Sequence, residues 1–134
     1  MLLLRTPLAS KVLFILWLVA LLAVIVGSLL PAEVLDRVDP AQAYLTDKEQ
    51  HFLAYFGLAL FPPLMMLGRR SSWLLAASML AVGIALEFLQ RLTPDRAFEI
   101  GDMVADGLGV GAGMLLSWLI LTWTTPGSAS RQTA

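Results

Sequence analysis

The stretch VLFILWLVALLAVIVGSLL, Val12 to Leu30, decides what kind of protein this is. It runs for 19 residues without a charge and stops at Pro31. A helix rises about 1.5 Å per residue, so about 20 apolar residues cross a hydrocarbon layer about 30 Å thick. Working outward, three more apolar runs follow: His51 to Leu67, Trp73 to Leu89 with Glu87 inside it, and Met103 to Leu121 with Asp106 inside it. The segments between them, PAEVLDRVDPAQAYLTDKEQ, GRRSS and QRLTPDRAFEIGD, carry charge and turn residues, as breakers do. The pattern predicts an all-α integral membrane protein. Four transmembrane helices, spanning about 12–30, 51–67, 73–89 and 103–121, form an up-and-down bundle in a single domain over 1–134.

Composition agrees. Of the 134 residues, 58% are hydrophobic and 14% charged, whereas soluble domains carry about a quarter charged residues. A net charge of −1 offers no basic field for nucleic acid. The chain has no cysteine, which excludes disulfides and thiolate metal sites. Arg5 and Lys11 ahead of the first run resemble a signal peptide, but the run is long for one and three more spans follow, so it reads as an uncleaved anchor. Arg5, Lys11, Arg69, Arg70 and Arg131 fall on one side of such a bundle, and Arg37, Lys48, Arg91 and Arg96 on the other. The small basic excess, with Trp73 and Trp123 as interfacial anchors on that side, favours both termini in the cytoplasm.

The second run opens with DKEQHFLAYFGL, Asp47 to Leu58, which holds the only histidine. Thr46 with Glu49 three residues on makes a capping box, placing the helix start near Asp47. Pro62 and Pro63 predict a kink or an early end. Asp47, His51 and Tyr55 recur every four residues and share one stripe. Up-and-down threading brings that stripe to the same membrane face as Glu87, Gln90 and Arg91 on the third helix and Asp102 and Asp106 on the fourth. Glu87 lies one turn inside Arg91, and Asp106 one turn inside Asp102. An ionisable group facing hydrocarbon costs about 2.5–3.5 kcal/mol. Turned inward, these groups pair or line a small wet cavity. Gly107, Gly109, Gly111 and Gly113 are spaced for close helix packing.

Each of these residues also has a plain reading. Asp47 and Lys48 flank a helix end, Glu87 and Arg91 suit an i, i+4 ion pair, Gln90 faces water, and Asp102 caps the fourth helix. Arg96 and Glu99 solvate a loop. Asp106 resists such a reading, since a cap needs no second acid a full turn deeper.

In their order, DKEQHFLAYFGL, ALEFLQ and DRAFEIGDMVADGLGVGAG resemble the VanZ-like family of small bacterial membrane proteins, whose namesake is associated with teicoplanin resistance. The resemblance is strongest over 46–121. The family pattern is matched by Asp47, Lys48, His51, Tyr55, Glu87, Gln90, Arg96, Asp102, Gly109 and Gly113. Asp106 stands where the family usually has Asn, which adds a negative charge. The resemblance implies a place in the bacterial cell envelope and a link to glycopeptide resistance.

Three classes of function follow. The first is an outward-facing polar pocket in the bacterial cytoplasmic (inner) membrane that binds a lipid or cell-wall-precursor headgroup, with Arg91 or Arg96 suited to phosphate or carboxylate. The second is an acid–base enzyme acting on an envelope lipid, with His51 and the carboxylates as its groups. The third is a helical subunit whose polar cluster fixes register in a membrane complex. Membrane lipids are the expected partners. One histidine with carboxylates could also hold a divalent cation, but this is the weaker branch, since no known ligand spacing is matched; no metal and no cofactor are expected. Four helices without an inverted repeat give a transporter little room for alternating access.

Overall fold

The computed structural model describes residues 7–31, 34, 37, 45–65, 69–92 and 98–124. Among these there are four long helices and no strand: α1 (Pro7–Leu29), α2 (Asp47–Leu64), α3 (Arg69–Gln90) and α4 (Ile100–Thr124). The third and fourth apolar runs lie within α3 and α4, whereas the first runs one residue past α1 and the second extends beyond the end of α2 at Leu64. Three are long and apolar enough to cross a membrane, over Leu8–Leu29, Arg69–Gln90 and Ile100–Trp123. The other, α2, has 18 residues and opens on Asp47, Lys48 and Glu49.

The capping box sets that opening. The Thr46 N–H donates to Glu49 Oε2 at 2.8 Å, and the Glu49 N–H donates to Thr46 Oγ1 at 3.4 Å. The helix therefore starts four residues before the apolar run begins. It passes through Pro62 and Pro63 and ends one residue later, at Leu64, earlier than the apolar run would allow.

Neighbouring helices run antiparallel, as particular contacts show. Trp17 of α1 meets Leu58 of α2, while Ser28, near the end of α1, meets Gln90 at the end of α3. His51 near the start of α2 faces Glu87 near the end of α3 and Asp106 near the start of α4. The parallel pair α2 and α4 is the closest. A Cβ on Gly109 would fall on the Phe52 carbonyl oxygen, and one on Gly113 on the Phe56 carbonyl oxygen. One turn further, Ser117 Oγ donates to the Leu60 carbonyl. Small residues at this four-residue spacing let two backbones touch.

Pro62 has no N–H to give the Leu58 carbonyl one turn back. The indole of Trp17 supplies the donor instead, at 2.9 Å. Trp17 is thus a buried cross-strut and not an interfacial anchor, whereas Trp73 and Trp123 are exposed at the end away from His51.

Polarity is inverted relative to a soluble protein. Leu16, Val19 and Leu22 on α1, Leu74 and Ile84 on α3, and Leu108 and Leu115 on α4 face outward. Ser72, Glu87, Gln90, Asp102, Asp106 and Ser117 are buried. An apolar jacket around inward-turned polar groups is the arrangement a bilayer rewards.

Candidate functional site

At the end of the bundle where α2 and α4 begin, the polar side chains converge. His51, one turn into α2, is the hub. Its Nδ1 lies 2.9 Å from Asp106 Oδ1, and its Nε2 lies 4.0 Å from Glu87 Oε1. Glu87, Asp102 and Asp106 are each no more than 2% exposed. Gly83 makes room for this meeting: a Cβ there would stand 2.5 Å from Asp106 Oδ2 and 2.7 Å from Tyr55 Oη. A glycine one turn below Glu87 is thus part of the site, and no sequence signal marks it.

Glu87 is held from a second side, where the Glu99 N–H donates to its Oε2 at 3.1 Å. Glu99 is therefore more than a solvated loop residue. Its own carboxylate binds Lys48 Nζ at 2.6 Å, and the same ammonium lies 3.5 Å from Asp102 Oδ1. The Glu99 hydrogen bond, then the Asp102 charge, raises the Lys48 pKa, and Lys48 in turn holds Glu99 below the ordinary carboxylate value. Glu49 is also held low, by the Thr46 backbone N–H and then its hydroxyl. Asp102 is not the cap of α4 but lies in its first turn. The buried oxygens Glu87 Oε1, Asp102 Oδ1 and Asp106 Oδ2 receive no hydrogen bond among the described residues.

Beside His51, on the side facing α1, opens a cavity of about 260 Å³. Asp47, Gln50, His51 and Tyr55 form its α2 wall, Gln90 closes it from α3, and Ala23, Val24, Gly27 and Ser28 form its α1 wall. The Gln90 amide donates to the Ser28 carbonyl at 3.0 Å, so it is buried and does not face water. The first helix, read from sequence as an anchor, is thus a wall of the site. Its only signals were Gly27 and Ser28, the two residues that interrupt an otherwise aliphatic last turn.

The residues expected to form a pocket thus separate into groups. Asp47, His51, Tyr55 and Gln90 line the cavity. Glu87, Asp102 and Asp106 lie within the bundle as buried acids, with Lys48 at its rim. Arg91 does not join them. Its guanidinium stands over the Phe98 ring at 4.2 Å and the Phe88 ring at 5.4 Å, a better position for an exposed cation than beside a buried acid that is already held from another helix. Arg96 lies outside the described residues. Of the four glycines, Gly109 and Gly113 pack against α2, whereas a Cβ on Gly107 or Gly111 would meet no atom within 4 Å. The 3.6-residue repeat turns that second pair to another face.

Chemically, an imidazole beside two carboxyls is a group that can take up and pass on a proton. The acids around it favour hydroxyl, amide or ammonium groups over a bare anion.

A family model described as VanZ/LLP1 matches residues 5–121. No curated protein and no solved structure matches the chain.

Proposed function

The chain belongs to the VanZ/LLP1 family, and from that premise we propose that its cavity binds the polar headgroup of an amphiphilic envelope molecule, a lipid or cell-wall precursor. The observation that carries this reading is the mixed lining. Asp47, Gln50, His51 and Gln90 share a cavity of about 260 Å³ with Ala23, Val24 and Ala54. A small cavity with both kinds of lining suits a headgroup and the start of its chain. The charge narrows the class. Arg91 is engaged with aromatic rings, and among the described residues the cavity is lined by the acid Asp47 and by no lysine or arginine, so the reading favours hydroxyl-, amide- or ammonium-bearing headgroups.

In this reading α2 is a fourth span, the cavity opens outward, and both termini are cytoplasmic in a bacterial inner membrane. Occupancy of the site bears on susceptibility to glycopeptides such as teicoplanin, as the family resemblance implies.

The test is purification in mild detergent with mass spectrometry of co-purifying lipids, alongside glycopeptide susceptibility of cells expressing each variant. Gly27→Leu fills the cavity from α1, where a Cβ meets nothing within 4 Å and a leucine favours the helix. It should displace the bound lipid without loss of protein. His51→Ala should do the same through the polar wall. Unchanged lipid and unchanged susceptibility in both variants would refute the reading.

The His51–Asp106 pair at 2.9 Å favours one second reading, an acid–base enzyme on the same envelope molecule. Asp106→Asn would then stop turnover while lipid stays bound. No product from envelope lipid extracts would remove this reading.

A further inference from the structure

We propose that Asp47, His51 and Asp102 form a divalent-cation site. Their ligand atoms lie within 4.8 Å of one another. Two ligand atoms on opposite sides of one ion are about 4–5 Å apart at ordinary metal–ligand distances, so the three side chains reach one ion with little movement.

Three features support a cation at this place. The first is the histidine's orientation. Asp106 Oδ1 stands 2.9 Å from Nδ1, the place of a supporting acceptor, and leaves Nε2 as the ring nitrogen that a metal ion would take from the neutral imidazole. A carboxylate behind a histidine is the common support of a metal-ligating imidazole. The second is the opposing acceptor. Glu87 Oε1 is buried, receives no hydrogen bond, and lies 4.0 Å from Nε2. A buried carboxylate oxygen without a donor is offset by a positive centre nearby, either a bound cation or a proton on Nε2, and the experiment below separates the two. The third is Asp102, 2% exposed, with a buried Oδ1 that receives no hydrogen bond. The Lys48 ammonium, bonded to Glu99 at 2.6 Å, pairs with that oxygen only at 3.5 Å and would compete with a cation there.

One imidazole with carboxylates selects a first-row divalent ion such as Zn²⁺ or Mn²⁺ over Ca²⁺ or Mg²⁺. Asp47 and His51 also line the cavity, which gives the ion an entry path. The proposal does not rest on headgroup binding, and its test reads the ion alone.

The experiment uses the full chain in detergent, stripped with chelator and titrated with Zn²⁺ against a chromophoric competitor, with elemental analysis for stoichiometry. The wild type takes up one equivalent. His51→Ala and Asp102→Asn weaken binding by at least about 100-fold, and Asp106→Asn by about 10–100-fold, as for lost support of a ligating histidine. Lys48→Met removes the competing ammonium and tightens binding, a gain that misfolding cannot imitate. Helicity by circular dichroism checks each variant. Less than one equivalent on the wild type would mean that a proton on Nε2 satisfies Glu87, and the proposal fails. It fails equally if His51→Ala and Asp102→Asn bind as the wild type does, or if Lys48→Met brings no gain.

Discussion

Replacing Trp17 by Phe tests whether α1 is held by a hydrogen bond that a proline makes necessary. The indole N–H donates to the Leu58 carbonyl at 2.9 Å, and Trp17 is 5% exposed. Four residues after Leu58 stands Pro62, which has no donor for that carbonyl. Trp17→Phe therefore leaves a buried carbonyl without a partner, a loss of about 1–3 kcal/mol, plus a smaller loss from the reduced ring. In a Pro62→Ala background, the new backbone N–H takes up the carbonyl and only the ring term remains. The cycle should show a coupling of about 1–3 kcal/mol, within the range for residues that share a partner. Reversible unfolding in mixed micelles, followed by helical circular dichroism for the four proteins, measures it. If Trp17→Phe costs the same in both backgrounds to within about 0.5 kcal/mol, the indole is mere packing and the account of the proline is wrong.

Gly109→Ala puts a Cβ onto the Phe52 carbonyl oxygen and should destabilise by about 1–3 kcal/mol. Gly107→Ala and Gly111→Ala, with open space around them, should gain up to about 1 kcal/mol; thermal unfolding in detergent compares all three. The Lys48–Glu99 pair combines a raised lysine with a lowered glutamate. Its stabilisation is full between about pH 4.3 and about pH 10.4, the ordinary values of the two groups. It is lost as pH falls through the lowered Glu99 value and as pH rises through the raised Lys48 value. The difference in unfolding midpoint between wild type and Lys48→Gln should therefore shrink at both extremes; a constant difference would contradict this. Arg91→Gln should cost about 0.5–1 kcal/mol through the lost ring contacts and leave co-purifying lipid unchanged, since the guanidinium lies over Phe88 and Phe98.

The elements and the polar cluster were legible in the sequence for one reason: in an apolar chain a buried charge has few places to go. His51, Glu87 and Asp106 meet because each sits at the same depth on its own helix. Three other features were not legible, because they depend on contacts across loops or on helix rotation. Arg91 turned to Phe98 only because the chain after α3 brings that ring back over it. Glu99 reached both Lys48 and Glu87 for the same reason. The α1 wall of the cavity was hidden because an almost wholly apolar run has no polar stripe from which its rotation could be read. Gly107 and Gly111 share the spacing of Gly109 and Gly113, and spacing alone does not say which pair faces a neighbour.

The backbone contact between α2 and the glycine face of α4 has a consequence for biosynthesis. α2 emerges from the ribosome long before α4 exists, with Asp47, Lys48 and Glu49 in its first turn and two prolines near its end. It gains its docking surface only when the last helix is made, so α2 should settle in the bundle after α4 and not in numerical order. A chain truncated after Gln90 should leave a cysteine introduced near His51 open to a water-soluble thiol reagent, and the completed chain should shield it.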